Sequence, residues 1–225
     1  MRKYAVIDTE TIGGFTNAKV LEVGIVICDK KGEIYDSINL ICRETLQQLI
    51  FEPIDFWTPE KKQYYYDNAH TTINVLDWRH CCRFLEMFLK ENKVSKVMAY
   101  NLIFDIGAIE NSNKLFIGYD FLEGYQKQCI WGMACETICN CKKYQNFCLQ
   151  NGLHSSRGNI STTAENVYRF ITNNLEHKEA HTAISDAIEE AKIYAKCVSV
   201  RKPYTKGIII DPWKIPQPKI EKLLQ

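Results

Sequence analysis

The sequence predicts an α/β protein in which three strands, the second and third a hairpin, precede helices and further strands in the order βββαβα. Three features carry this expectation. Apolar, β-rich runs open the chain, a polar Gly-containing turn joins the second run to the third, and helix-like and strand-like segments then alternate.

The first strand is expected over about Lys3 to Asp8, in Tyr-Ala-Val-Ile-Asp-Thr-Glu-Thr-Ile-Gly. Lys19 to Cys28 and Glu33 to Cys42 read as a hairpin around Asp29-Lys30-Lys31-Gly32. Thr58-Pro59-Glu60 supplies an N-cap, a first-turn proline and an acid, and opens a helix containing Tyr64, Tyr65 and Tyr66. A longer helix from about Trp78 to Glu91 precedes a short strand, Val94 to Tyr100, which leads into a helix carrying Asp105 in its first turn. Thr162-x-x-Glu165 reads as a capping box for a helix through Phe170 and Ile171. Thr182 caps the last helix, where Ile184, Ala187, Ile188, Ala191, Ala195 and Val198 recur at helical spacing.

Asp8 and Glu10 stand out because two acids interrupt an otherwise apolar strand. Residues two apart on a strand share a face, so the carboxylates emerge side by side, and their repulsion is relieved by a cation between them. Oxygen ligands of this kind suit Mg²⁺ or Mn²⁺. A strand end fraying into solvent accounts for the pair equally well. Asp105 has a bland reading too, as an acid placed to favour a helix N-terminus. Asp186 lies opposite the apolar stripe beside Glu189 and Glu190, so periodicity alone makes it a solvated residue and His181 an ordinary helix-entry residue.

The order of the three segments changes their weight. Acid-x-acid at Asp8 and Glu10, Asn-x-x-Phe-Asp at Asn101 to Asp105, and His-x-Ala-x-x-Asp at His181 to Asp186 together resemble the DEDDh branch of the DnaQ-like 3′-to-5′ exonucleases. Val20-Leu21-Glu22-Val23-Gly24-Ile25-Val26 resembles that family's second strand. The resemblance implies a ribonuclease H-like fold, a mixed central sheet of a three-strand antiparallel meander plus parallel strands flanked by helices on both faces, with the first strand central, Asp8 and Glu10 at its end, and the last helix facing them. It implies that Asp8, Glu10 and Asp186 hold two Mg²⁺ or Mn²⁺ ions, that Asp105 supports the second ion, and that His181 is the general base. Imidazole chemistry suits that task because it exchanges protons near neutral pH. The family's other branch carries tyrosine where Thr182 stands, so the chain is of the histidine type. The resemblance also makes Thr11, Ile12 and Asn101 the substrate-contact candidates: the backbone around Thr11 and Ile12 matches the edge that grips the terminal nucleotide in the family, and an apolar Ile12 can wedge against its base.

The activity so implied is removal of nucleoside 5′-monophosphates from the 3′ end of DNA or RNA. Its rivals are an RNA-specific trimming enzyme and an idle member of the fold that only binds nucleic acid. The expected partner is a nucleic acid with a free, single-stranded 3′ end; a polymerase or other replication partner is left open.

Composition agrees with one catalytic domain over residues 1–200, and the proline-containing extension, 201–225, is expected to pack on that domain or to engage a partner. A net charge of +1 on 225 residues excludes a protein that coats long nucleic acid through charge alone. No apolar run approaches the ~20 residues of a membrane span, and a soluble, cytoplasmic protein is expected. Its ten cysteines are then reduced thiols, six of them (Cys28, Cys42, Cys81, Cys82, Cys129, Cys197) scattered through core segments. Cys135, Cys139, Cys141 and Cys148, with His154 nearby, raise a zinc site, but their irregular spacing in a helix-like segment favours packed thiols. The stretch Phe56 to His70 reads either as a surface that stacks on a single strand or as an amphipathic helix with some tyrosines turned inward.

Overall fold

The computed structural model describes residues 2–51, 59–69 and 74–215. The expected cap Thr58 and both ends of the Phe56 to His70 stretch lie outside the described residues. Strands β1 (Tyr4–Ile12), β2 (Lys19–Cys28) and β3 (Ile34–Cys42) come first, followed by α1 (Arg43–Phe51) and α2 (Pro59–Ala69). Then come β4 (Val75–Leu76), α3 (Trp78–Glu91), β5 (Lys96–Ala99), α4 (Leu102–Phe116) and β6 (Gln126–Cys129). Helices α5 (Ile130–Ala134), α6 (Lys142–Gln150), α7 (Ala164–Thr172) and α8 (Ala183–Ser199) complete the core.

The sheet has the order β4-β3-β2-β1-β5-β6, so β1 is central, as expected. β1, β2 and β3 pair antiparallel, whereas β5 pairs parallel with β1 and with β6, which gives the mixed sheet. β1 departs from expectation in length. It continues four residues past Asp8, through a register irregularity between Glu10 and Thr11, so the two acids lie within the strand rather than at its end. Its far end is held because α1 and α2 cover it: Ile12 packs with Leu21, Ile41, Leu46, Leu49 and Tyr65.

Strand alternation divides the main core into two layers. Ala5, Ile7, Val23, Ile25 and Ile27 meet Trp78, Leu85 and Leu89 of α3 and Ala108 of α4 on one face. Val6, Val26 and Met98 meet Met133 of α5 and Ala187, Ala191 and Ile193 of α8 on the other. Asp8 and Glu10 follow the phase of Val6 and so emerge on the α8 side.

The cysteine-rich segment lies in this second layer. Cys139 and Cys148 pack there with Tyr144 and Cys197, Cys135 is fully buried, and Cys141 caps α6 by accepting the Tyr144 N–H on Sγ at 3.4 Å. The cap of α7 is shifted by one residue from expectation. Thr163 accepts the Asn166 N–H, while the Thr162 hydroxyl instead accepts from Trp131 Nε1. In the extension, Gly207 exchanges hydrogen bonds with Gln128, and Thr205 donates its N–H and hydroxyl to Glu136. Among the described residues no helix is long and apolar enough to cross a membrane.

Candidate active site

The site forms where β1, α4 and α8 converge. Asp8 pairs in register with Gly24 of β2, and Glu10 with Glu22. A Cβ added at Gly24 would lie 2.4 Å from the Ala183 carbonyl carbon and 2.5 Å from the Ile184 nitrogen. Only glycine therefore lets the first turn of α8 settle onto the sheet beside Asp8. Replacing Gly24 with Ala is expected to push α8 outward, lowering turnover about 10²-fold, the usual penalty of an ångström-scale misplacement. Overpacking should destabilise the fold by about 1–3 kcal/mol as well. Initial rates and thermal melts check both; a variant with wild-type turnover would show that this close contact does not set the position of α8.

Glu22 fixes the same turn from below. Its side chain is fully buried, and Oε2 accepts the Ala183 N–H at 3.0 Å and the Tyr65 hydroxyl at 2.7 Å, while Oε1 accepts from Asn39 Nδ2 at 2.7 Å. A helix N-terminus favours a carboxylate on its free N–H groups, so Glu22 performs the capping that Thr182 was expected to perform. Thr182 occupies the cap position without a side-chain bond to the backbone N–H groups, and its hydroxyl pairs with Ser185 Oγ instead. His181, just before it, adopts a left-handed backbone with φ 53°, which turns the chain into the helix.

Asp105 reaches the cluster from the opposite layer. It is 3 % exposed in the first turn of α4, and its Oδ1 accepts the Thr9 hydroxyl at 2.8 Å. Ligand atoms of Glu10, His181 and Asp186 all lie within 4.8 Å of one another. Asp8 is partly buried between these two groups: burial, then Glu190, Asp105, Glu10 and Asp186 in turn, hold its carboxyl well above the ordinary range. Burial and the neighbouring Glu179 and Glu10 push Asp186 up to about 8, and burial raises Asp105 despite the Thr9 hydroxyl. Such a set of oxygen donors, desolvated and mutually repelling, fits a divalent cation. A positive charge already answers one of them: Lys61 Nζ of α2 lies 2.5 Å from Glu10 Oε2.

The structure thus brings all four acids and His181 together, and it adds residues that sequence reasoning missed. Glu190, 4 % exposed, accepts the Tyr100 N–H at 2.9 Å and crowds Asp8. Its spacing of four from Asp186 on one helix face was the available signal. Glu179 lines the same cleft, whose volume is about 190 Å³, and is raised to about 7 by burial and by Glu165 and Glu189. Lys61, 51 positions from Glu10, had no local signal.

The substrate-contact candidates fare unevenly. Thr11 is partly exposed beside Glu10, and Asn101 forms the left-handed turn between β5 and α4 with φ 73° and a buried Oδ1 that has no hydrogen-bond partner. Ile12 is 1 % exposed, so its side chain cannot wedge against a base; the longer β1 and the cover of α1 and α2 turn it into the core. Of the tyrosines of α2, Tyr65 is buried on Glu22 and Tyr64 is exposed.

A mixed sheet with a central acid-bearing strand, and four acids and a histidine gathered beside it, agree with the 3′-to-5′ exonuclease class. The chain belongs to the Rv2179c-like 3′-5′ exoribonuclease domain family, whose model matches residues 3–198. No curated protein matches the sequence. Among solved structures, the nuclease domain of 3′hExo, a DEDDh family member bound to rAMP, is similar at 12 % identity and TM-score 0.56, over 92 % of this chain and 97 % of that one. E. coli ExoI in a complex with ssDNA is similar at 15 % identity and TM-score 0.57, over 90 % of this chain and 42 % of that one. Cell-death related nuclease 4 is similar at 13 % identity and TM-score 0.55, over 91 % of this chain and 66 % of that one. At these identities the likeness bears on the fold.

Proposed function

We propose that this exonuclease hydrolyses the terminal phosphodiester at a single-stranded 3′ end and releases nucleoside 5′-monophosphates, with RNA as the preferred substrate. The observation that carries the reading is the convergence of Asp8, Glu10, Asp105, Asp186 and His181, in a chain matched over residues 3–198 by an exoribonuclease family model. DNA is the second reading, favoured by the fold shared with an ssDNA-bound ExoI.

Asp8, Glu10 and Asp186 would hold two Mg²⁺ or Mn²⁺ ions, with Asp105 supporting the second. Bound there, the ions supply positive charge to the attacking and leaving oxygens of an in-line displacement at phosphorus. His181 accepts a proton from the attacking water. Lys61, held on Glu10 Oε2 at the edge of the same cluster, would be placed to answer a phosphate oxygen. Thr11 contributes main-chain groups to the grip on the terminal nucleotide, and Asn101 shapes the turn that brings in Asp105.

A digestion panel of end-labelled single- and double-stranded RNA and DNA, with Mg²⁺ or Mn²⁺, tests the proposal. The expected result is stepwise shortening from the 3′ end, fastest on single-stranded RNA, with 5′-monophosphates as products and no turnover in excess EDTA. Internal cuts in a circular single strand, or turnover in EDTA, would overturn the reaction type; faster digestion of DNA would replace the sugar preference.

A further inference from the structure

Three rings form a ladder that begins in the catalytic cleft and ends in solvent. Tyr100 lines the cleft with Asp8 and Asp186. Its ring stacks on Trp131, with centroids 6.0 Å apart and planes at 16°, and Trp131 in turn meets Trp213 at 5.5 Å and 39°. The two inner rings are locked. Tyr100 donates its hydroxyl hydrogen to the Thr162 carbonyl at 2.5 Å, and Trp131 Nε1 donates to Thr162 Oγ1 at 3.0 Å. The outer ring, Trp213, remains 54 % exposed and lies beyond the residues that the family model matches.

Trp213 is not what secures the extension. The Cys129 N–H donates to the Gly207 carbonyl at 3.1 Å, Gln128 and Glu136 bind Gly207 and Thr205, and Pro212 is buried. Ile209 packs so closely on Gly132 that a Cβ there would meet its Cδ1 at 2.2 Å. With the backbone ahead of it anchored through Thr205, Gly207, Ile209 and Pro212, a large aromatic face is held half in water, and Ile208 and Ile210 of the same segment are 39 % and 72 % exposed. Such a face gains by being covered.

We propose that the outer face of Trp213 is a stacking platform for a base of a single-stranded nucleic acid, several nucleotides in from the 3′ end held in the cleft. The proposal rests on the exonuclease reading of that cleft. Continuity of the ladder with the cleft selects this occupant, because the two ring-to-ring steps of 6.0 Å and 5.5 Å put the outer ring within a few nucleotides' reach of a strand end held at Asp8 and Asp186. Stacking accepts any base, since each has a π-face, and so suits an enzyme that shortens ends without reading sequence. A duplex hides its base faces, so the platform also selects single strands.

The test compares wild type, Trp213→Ala and Trp213→Phe. Binding is measured by fluorescence anisotropy, in Mg²⁺, to a labelled single strand of about eight nucleotides with phosphorothioate final linkages, and kcat/KM is measured on the unmodified strand and on a dinucleotide. Trp213→Ala is expected to weaken octamer binding by about 5- to 150-fold, the span of one lost base–aromatic stack. The octamer-to-dinucleotide ratio of kcat/KM should fall about tenfold, with Trp213→Phe keeping most of both. Octamer binding by Trp213→Ala equal to wild type, or an equal loss on both substrates, would overturn the platform. Self-association that disappears with Trp213→Ala while octamer binding persists would assign the face to a second copy of the chain and also overturn it. Failure of the wild type to bind or shorten any strand would instead sink the exonuclease reading itself.

Discussion

Asn in place of Asp8 is expected to abolish turnover and, in chelator-treated protein, to melt at the same temperature as wild type or higher. Asp8 is the most crowded acid of the cluster: burial, Glu190, Asp105, Glu10 and Asp186 all raise its carboxyl, so charge at this position opposes folding until a cation compensates it. The amide has nearly the shape of the acid without its charge.

The direction with pH follows from linkage. Asp8, Asp105 and Asp186 have folded-state values raised above the unfolded value of about 4, so the folded state holds more protons. Their contribution to stability is complete below that value and is lost as pH rises through the folded values, about 8 for Asp186. Metal-free wild type should therefore melt higher at pH 5 than at pH 8, and the gain from Asp8→Asn should be largest at pH 8. Mn²⁺ should raise the wild-type melting temperature by binding the folded state alone, and raise that of the variant much less. Melts at both pH values, with EDTA or Mn²⁺, together with initial rates, decide the matter. A variant less stable than wild type in EDTA at pH 8 would show that charge repulsion does not govern this cluster, and retained turnover would remove Asp8 from the catalytic set.

What could be read from the sequence was what local chemistry and chain order encode. The hairpin of β2 and β3, the long α3 and the stripe of α8 follow from periodicity and turn residues, because each is stabilised by contacts its own pattern announces. The end of β1 did not, because its continuation to Ile12 depends on cover from α1 and α2, elements far along the chain. Misplacing that end carried directly into the site, since an Ile12 at a frayed edge can touch a base and an Ile12 under two helices cannot. Glu22 was legible only as an odd acid in an apolar strand; its partners, Ala183 and Tyr65, are 161 and 43 positions away. Nothing near Lys61 in the chain points to β1, and only the packing of α2 against β1 and β2 reveals that it meets Glu10.

His181→Ala should act in a different way from Asp8→Asn, with turnover falling about 10²- to 10⁴-fold, the usual contribution of a general base, while most of the metal response survives. The structure sharpens this comparison, because a ring nitrogen of His181 lies within 4.8 Å of the Glu10 and Asp186 oxygens. That proximity suits a base beside the attacking water, but it also suits a third ligand to the cation. The two roles separate in the melts: loss of a base leaves the Mn²⁺-induced rise intact, whereas loss of a ligand diminishes it as Asp8→Asn does. Backbone conformation calls for a second variant. At φ 53° a non-glycine residue is strained, and Asn tolerates the left-handed region better than Ala. His181→Asn therefore removes the imidazole while keeping the turn that feeds α8. If the imidazole is what matters, both variants should lose turnover alike; if the turn is what matters, the Asn variant should stay near wild type. Near-normal rates in the Asn variant, or a metal response as weak as that of Asp8→Asn in both variants, would take the role of base away from His181.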